Sequence, residues 1–146
     1  MPAPFSMTRR VAFSETDAAG IVHFAHFFRY MEDAEHALLR SLGLSVHRDV
    51  GDDVAGFPRV SAQCDYRRPL RFEDEFTIAV RVAAKTDKSA TYGFIFTKAG
   101  EDEPIAAGTL KVVYAIKPAG ANKFSAAALP PEIDQALKVD DAAASG

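Results

Sequence analysis

Ser14-Glu15-Thr16-Asp17-Ala18-Ala19-Gly20-Ile21-Val22-His23-Phe24 is the stretch on which the fold turns. It leaves a short strand-like run, carries a carboxylate close to a glycine, and runs into about five turns of helical pattern. A helix N-terminus offers unbonded backbone N–H groups and a partial positive charge. Those groups can hold negative charge that develops on a substrate. An acidic residue beside them can serve as a base or a nucleophile. The stretch therefore has the make-up of an active site.

Upstream, residues 8–13 are expected as a first strand, with Val11 and Phe13 on one face. Downstream, a helix is expected over residues 24–42. Phe24, Phe27, Phe28, Met31, Ala34, Leu38 and Leu42 form one apolar stripe, and His26, Arg29, Asp33, His36 and Arg40 lie opposite. Gly43 stands where a left-handed C-cap belongs. Glu35 falls inside the apolar arc, and a carboxylate there needs a partner or becomes neutral. It is either paired across the core or a rival base. Glu32 lies at the edge of that arc.

Residues 44–56 read as an irregular connector. Four runs then alternate or stay apolar. Val60, Ala62, Cys64 and Tyr66 share one face. So do Phe76, Ile78, Val80 and Val82, and so do Ala90, Tyr92, Phe94 and Phe96. Residues 105–116 form a last, more continuously apolar strand. The links between these runs are short, which implies antiparallel neighbours. The expected class is α+β, with one long helix against a five-stranded antiparallel sheet. Residues 131–138 suit a short terminal helix. A single domain over residues 1–139 and a disordered tail over 140–146 are expected. A sheet covered by one helix leaves a face and edges open, so a homodimer or homotetramer is expected.

With 146 residues, 48% of them apolar and 25% charged, the chain fits one soluble domain. A net charge of −3 gives nucleic acid no general attraction. No apolar run is long enough to span a membrane, the N-terminus lacks a signal-peptide profile, and one cysteine suits a reducing cytoplasm. Cys64 reads as core rather than nucleophile. No HExxH or equivalent ligand set occurs, so no metal and no cofactor are expected.

Asp17-Ala18-Ala19-Gly20-Ile21-Val22 resembles the Asp-x-x-Gly-Ile/Val-Val motif of the 4-hydroxybenzoyl-coenzyme A thioesterase family, the Asp-motif branch of the hotdog-fold acyl-CoA thioesterases. Tyr66-Arg67-Arg68-Pro69 with Asp74 resembles the family's Tyr-x-x-Pro hairpin, and Ala107-Gly108-Thr109 its last strand. The resemblance spans residues 8–117. It implies a hotdog fold, a sheet wrapped around the helix with active sites at a dimer interface, and metal-free hydrolysis of an acyl-CoA thioester. It assigns Asp17 as the catalytic carboxylate and the Phe24 backbone N–H as the donor to the thioester carbonyl. It also implies that Gly20 lets the loop approach the substrate closely. The family often has Tyr or His at position 24 and Arg at position 35, where this chain has Phe24 and Glu35.

Asp17 would attack the carbonyl carbon or draw a proton from water. Coenzyme A carries phosphates, so basic residues should rim the pocket. Arg67, Arg68, Arg71, Lys85 and Lys88 are candidates, against a solvated surface as the plain alternative. His23 either orients substrate or caps the helix, and the cap is the favoured reading. Glu32 is structural or pocket-lining. Two competing functions are a non-catalytic domain gripping an apolar ligand among Phe27, Phe28, Tyr92, Phe94 and Phe96, and a hotdog dehydratase centred on His23.

Overall fold

Alternation decides the sheet. Phe76, Ile78, Val80 and Val82 on β5 (Glu75–Lys85) are buried together, as are Tyr92, Phe94 and Phe96 on β6 (Ser89–Lys98). The computed structural model describes residues 5–140. In it β5 and β6 sit within a five-stranded antiparallel sheet with β1 (Phe5–Arg10), β7 (Pro104–Val113) and β4 (Arg59–Tyr66). The strand order is β1-β5-β6-β7-β4.

The buried face of this sheet receives α1 (His26–Ser41), which buries Phe27, Tyr30, Met31, Ala34, Glu35, Leu38 and Leu39. The Tyr30 ring lies 4.8 Å from Phe76 and the Phe27 ring 5.3 Å from Phe96. Three members of the expected stripe are outside it: Phe24 is 62% exposed, Phe28 is only partly buried, and Leu42 lies beyond the last turn. Tyr30 and Leu39 join the buried face instead, at the i, i+3/i+4 spacing of Phe27, Met31, Ala34 and Leu38. Among the described residues no helix is long and apolar enough to cross a membrane.

Four expectations change. The first strand ends at Arg10, and Phe13–Glu15 make a 3-10 turn that leaves Phe13 74% exposed. Residues 44–56 contain a hairpin of β2 (Arg48–Val50) and β3 (Asp53–Gly56), joined by a two-residue turn. Gly51 supplies the positive φ that such a turn needs, +62° here. The last apolar run is two strands: β7, then β8 (Ala115–Lys117), which pairs with β3 and with β9 (Ser125–Ala126) in a second sheet, β2-β3-β8-β9. β4 is an edge strand whose bulge between Arg59 and Ser61 turns Val60 outward. Cys64 is only half-buried, and burial pushes its thiol up to about 11, which favours the thiol over the nucleophilic thiolate.

The terminal helix α2 (Pro131–Ala136) buries Ile133 and is tied to β5 by Lys85. Asp140 donates its N–H to Val82 O at 2.9 Å, so it is anchored, and 141–146 of the expected tail lie outside the described residues.

At the centre of the helix–sheet contact Met31 packs directly on Gly108. A Cβ at Gly108 would lie 2.5 Å from Met31 Sδ and 2.8 Å from the Gln63 carbonyl. The second neighbour is backbone and cannot move aside. G108A is expected to cost about 1–3 kcal/mol, read as a lowered urea midpoint at unchanged slope; an unchanged midpoint would mean that the helix shifts freely on the sheet.

Candidate active site

The loop after β1 is a small hairpin of its own. Thr16 and Val22 form an antiparallel bridge, Asp17 N–H bonds Ile21 O at 2.9 Å, and Gly20 N–H bonds Asp17 O at 2.9 Å. Gly20 has φ +80°, the left-handed residue of a three-residue hairpin loop. A Cβ on Gly20 would meet no atom of the chain within 4 Å, so what the chain itself asks of Gly20 is its backbone conformation. The Asp17 carboxylate accepts the Ala19 N–H at 2.9 Å through Oδ1. That bond fixes its direction.

Beneath the loop lies a network that the sequence did not single out. Glu15 takes the Tyr30 hydroxyl on Oε1 at 2.8 Å and the Arg9 guanidinium on Oε2 at 2.8 Å. Arg9 also pairs with Asp33 and stacks over the Tyr30 ring. Glu15 O accepts the His23 N–H at 2.9 Å. Loop, strand and helix are therefore fixed to one another beside Asp17. The visible signal was Tyr30, one turn from Phe27 and Ala34 on the buried arc.

The helix start comes next. His23 Nδ1 accepts the Ala25 N–H at 3.2 Å, His23 O accepts the His26 N–H at 2.9 Å, and Phe24 O accepts the Phe27 N–H at 3.2 Å. Among the described residues the Phe24 N–H has no acceptor. Tyr66 donates its hydroxyl to Phe24 O at 3.0 Å, holding that peptide in place from β4.

Asp17, Phe24, Arg67 and Arg68 line one open cavity of about 470 Å³, walled further by Phe27 and Tyr66. Arg68 is held by Glu101 at 2.7 Å and by Glu103 O at 2.6 Å, whereas the Arg67 guanidinium has no hydrogen-bond or ion-pair partner among the described residues. Gly20 and His23 stand beside this cavity without lining it.

Glu32 and Lys88 are elsewhere. Glu32 lines a separate groove of about 540 Å³ with Arg29 and Arg59, and reaches Arg59 at 3.4 Å. Lys88 sits in the β5–β6 turn, roughly 30 Å along the hairpin from Glu75, so within one chain it cannot rim the Asp17 cavity. Lys85 is bound to Asp134 and to backbone of α2. Tyr92, Phe94 and Phe96 are packed in the core, so of the walls expected for a ligand-gripping cavity Phe27 lines the Asp17 cavity and Phe28 the groove with Glu32.

Glu35 is wholly buried and forms a two-pronged pair with Arg59 across the helix–sheet contact. Glu32, His36 and Tyr92 also face it. Burial raises its carboxyl above the ordinary range and outweighs the Arg59 guanidinium that lowers it.

A sheet wrapped on one helix, with a carboxylate loop at the helix start, is the hotdog architecture. The chain belongs to the Thioesterase-like superfamily, whose match covers residues 11–137. Membership makes it a thioester hydrolase. It is 32% identical over 146 residues to a 1,4-dihydroxy-2-naphthoyl-CoA hydrolase of Prochlorococcus marinus strain MIT 9313, covering 94% of this chain and 92% of that relative. It superposes on the structure of the BH1999 gentisyl-coenzyme A thioesterase with TM-score 0.77 and 32% identity, over 92% of this chain and all of that one. The fold is also shared with 4-hydroxybenzoyl-CoA thioesterase, at TM-score 0.79 and 17% identity, over 94% of this chain and 100% of the other.

The raised Glu35 carboxyl has a signed consequence. The folded chain binds this proton more tightly than the unfolded chain, so the stability it adds is complete below the ordinary glutamate value of about 4.3 and is lost as pH rises through the folded value. The urea midpoint of the wild type is expected to fall relative to that of E35Q as pH rises above that value. A gap that widens in the wild type's favour would show that Arg59 outweighs burial.

Proposed function

We propose that the chain hydrolyses an aryl acyl-CoA thioester to the free acid and coenzyme A. The observation that carries this reading is that Asp17 lines the same cavity as Phe24, whose N–H has no acceptor among the described residues. The thioester carbonyl oxygen accepts the Phe24 N–H, aided by the helix dipole, as negative charge develops on it. Asp17 attacks the carbonyl carbon or takes a proton from the attacking water, and the thiolate of coenzyme A leaves. The aromatic walls Phe24, Phe27 and Tyr66 suit a flat acyl group. The relatives named as acting on naphthoyl and gentisyl esters support the same class of substrate.

The free edge of β4, with Phe24, Val60 and Tyr66 exposed near it, supports a homodimer or homotetramer that covers this side of the site. The lone thiol of Cys64 suits the reducing cytoplasm.

D17N is expected to lower kcat for benzoyl-CoA about 10²–10⁴-fold with little change in the urea midpoint. Thiol release at the wild-type rate from D17N would sink the assignment. A single turnover in ¹⁸O-water separates the two routes, since only the nucleophilic one leaves the label in Asp17. Light scattering is expected to give two or four chain masses, and a monomer that hydrolyses the ester at full rate would refute the shared site.

A further inference from the structure

Asp17 is exposed, and among the described residues its carboxylate bonds only the Ala19 N–H of its own turn. The turn also closes on itself, through Asp17 N–H to Ile21 O and Gly20 N–H to Asp17 O. Where Asp17 stands relative to the helix start is therefore inherited from the anchors of the loop. One anchor is backbone: Val22 donates its N–H to Leu70 O at 2.8 Å, and Ile21 bridges to Arg71. The other is Glu15, two residues before Asp17.

Glu15 carries a charge that the proposed reaction does not use, and it does not line the Asp17 cavity. Its side chain is 13% exposed. Oε1 accepts the Tyr30 hydroxyl at 2.8 Å and the Ala12 N–H at 2.9 Å, and Oε2 accepts Arg9 at 2.8 Å. Arg9 is held in turn by Asp33 and by the Tyr30 ring, 4.9 Å beneath its guanidinium. Tyr30 is wholly buried and meets Phe27, a wall of the cavity, edge to face. A carboxylate brought under a loop loses hydration, and its ion pair returns little net stability. What charge-assisted bonds supply here is direction. The Glu15 side chain fixes the arm that leads to Asp17. The Glu15 carbonyl accepts the His23 N–H at 2.9 Å, on the residue just before Phe24. Both groups of the proposed reaction are thus referred to one residue.

We infer that Glu15, held by Tyr30 and Arg9, is the positioning residue that sets Asp17 against the Phe24 N–H, an inference that rests on the thioesterase reading. It acts through Asp17 and not on the ester. A displacement of about 1 Å in a reacting group costs on the order of 10²-fold in rate, so loss of a Glu15 bond shows in kcat rather than in substrate binding.

The test is Y30F, which removes one hydroxyl from a packed ring, assayed with benzoyl-CoA. Its kcat is expected to fall about tenfold or more while KM stays within about twofold. In a D17N background the same substitution is expected to change kcat by less than about twofold, because the carboxylate it would misplace is already gone. A tyrosine that only stabilises the fold would lower the rate by one factor in both backgrounds, in step with the urea midpoint, and that result overturns the inference. An unchanged kcat in Y30F overturns it too. E15A and E15Q give a second reading. Gln keeps one acceptor oxygen for Tyr30 and Ala12, so E15Q is expected to retain a kcat about fivefold or more above that of E15A. Equal values for the two variants overturn the assignment, and if E15A does not fold the two Y30F comparisons decide. A wild type without activity on benzoyl-CoA defeats the thioesterase reading and this inference with it. An active wild type with an unaffected Y30F leaves that reading in place and removes Glu15 from it.

Discussion

One carboxylate, that of Glu15, decides where Asp17 stands. Its two oxygens take a hydroxyl from α1, a guanidinium from β1 and the N–H of Ala12 from the loop itself. Its own carbonyl takes the N–H of His23. Three segments are thereby held in one arrangement, reinforced by the pairing of Arg9 with Asp33 and its stacking on Tyr30. Charge-assisted bonds of this kind are shorter and stronger than neutral ones, and partial burial strengthens them further. Burial and the Glu15 charge push the Tyr30 hydroxyl well above its ordinary value, so it remains a donor to Glu15 at any working pH. The loop that carries Asp17 is consequently a rigid hairpin, set at both ends.

The second charged junction works differently. Glu35 and Arg59 join α1 to β4 inside the fold, where desolvation offsets much of the attraction between them. Such a pair adds little net stability, yet neither member tolerates loss of the other. Position 35 often holds Arg in the family that the sequence resembles, and here the positive charge comes from β4 instead. The helix can carry the opposite sign because the strand supplies the counter-charge at a facing position. The pair fixes how α1 lies against the edge strand, which is also the strand that brings Tyr66 to the helix start.

Most of this was legible where periodicity was long enough to read. The alternation of β5 and β6 runs over ten or so residues and leaves no second interpretation. The Asp17 turn was legible from Asp17 and Gly20 together, since one caps the turn with its side chain and the other supplies its left-handed residue. The second sheet was not, because strands of two to four residues carry no period. Val60 and Tyr66 alternate as core residues do, but whether a strand's inner face is covered depends on its place in the sheet, and β4 came out at the edge. Lys88 stands far from the Asp17 loop of its own chain for a topological reason: an antiparallel hairpin sends its turn to the opposite end of the sheet from its start.

The helix start shows how a site can be selected by removing alternatives. A helix offers several unbonded N–H groups in its first turn, and any of them could attract an oxyanion. Here His23 satisfies two of them, one through its imidazole and one through its carbonyl, and the Phe24 carbonyl satisfies a third. Tyr66 then restrains the Phe24 peptide from the strand side. Among the described residues of the helix start the Phe24 N–H is left, and Phe24 lines the cavity that Asp17 also lines. Its position is set within the chain, so in the proposed reaction little reorganisation would be needed as charge moves onto a carbonyl oxygen. His23, just after the motif and beside the cavity, thus occupies two N–H groups near Phe24.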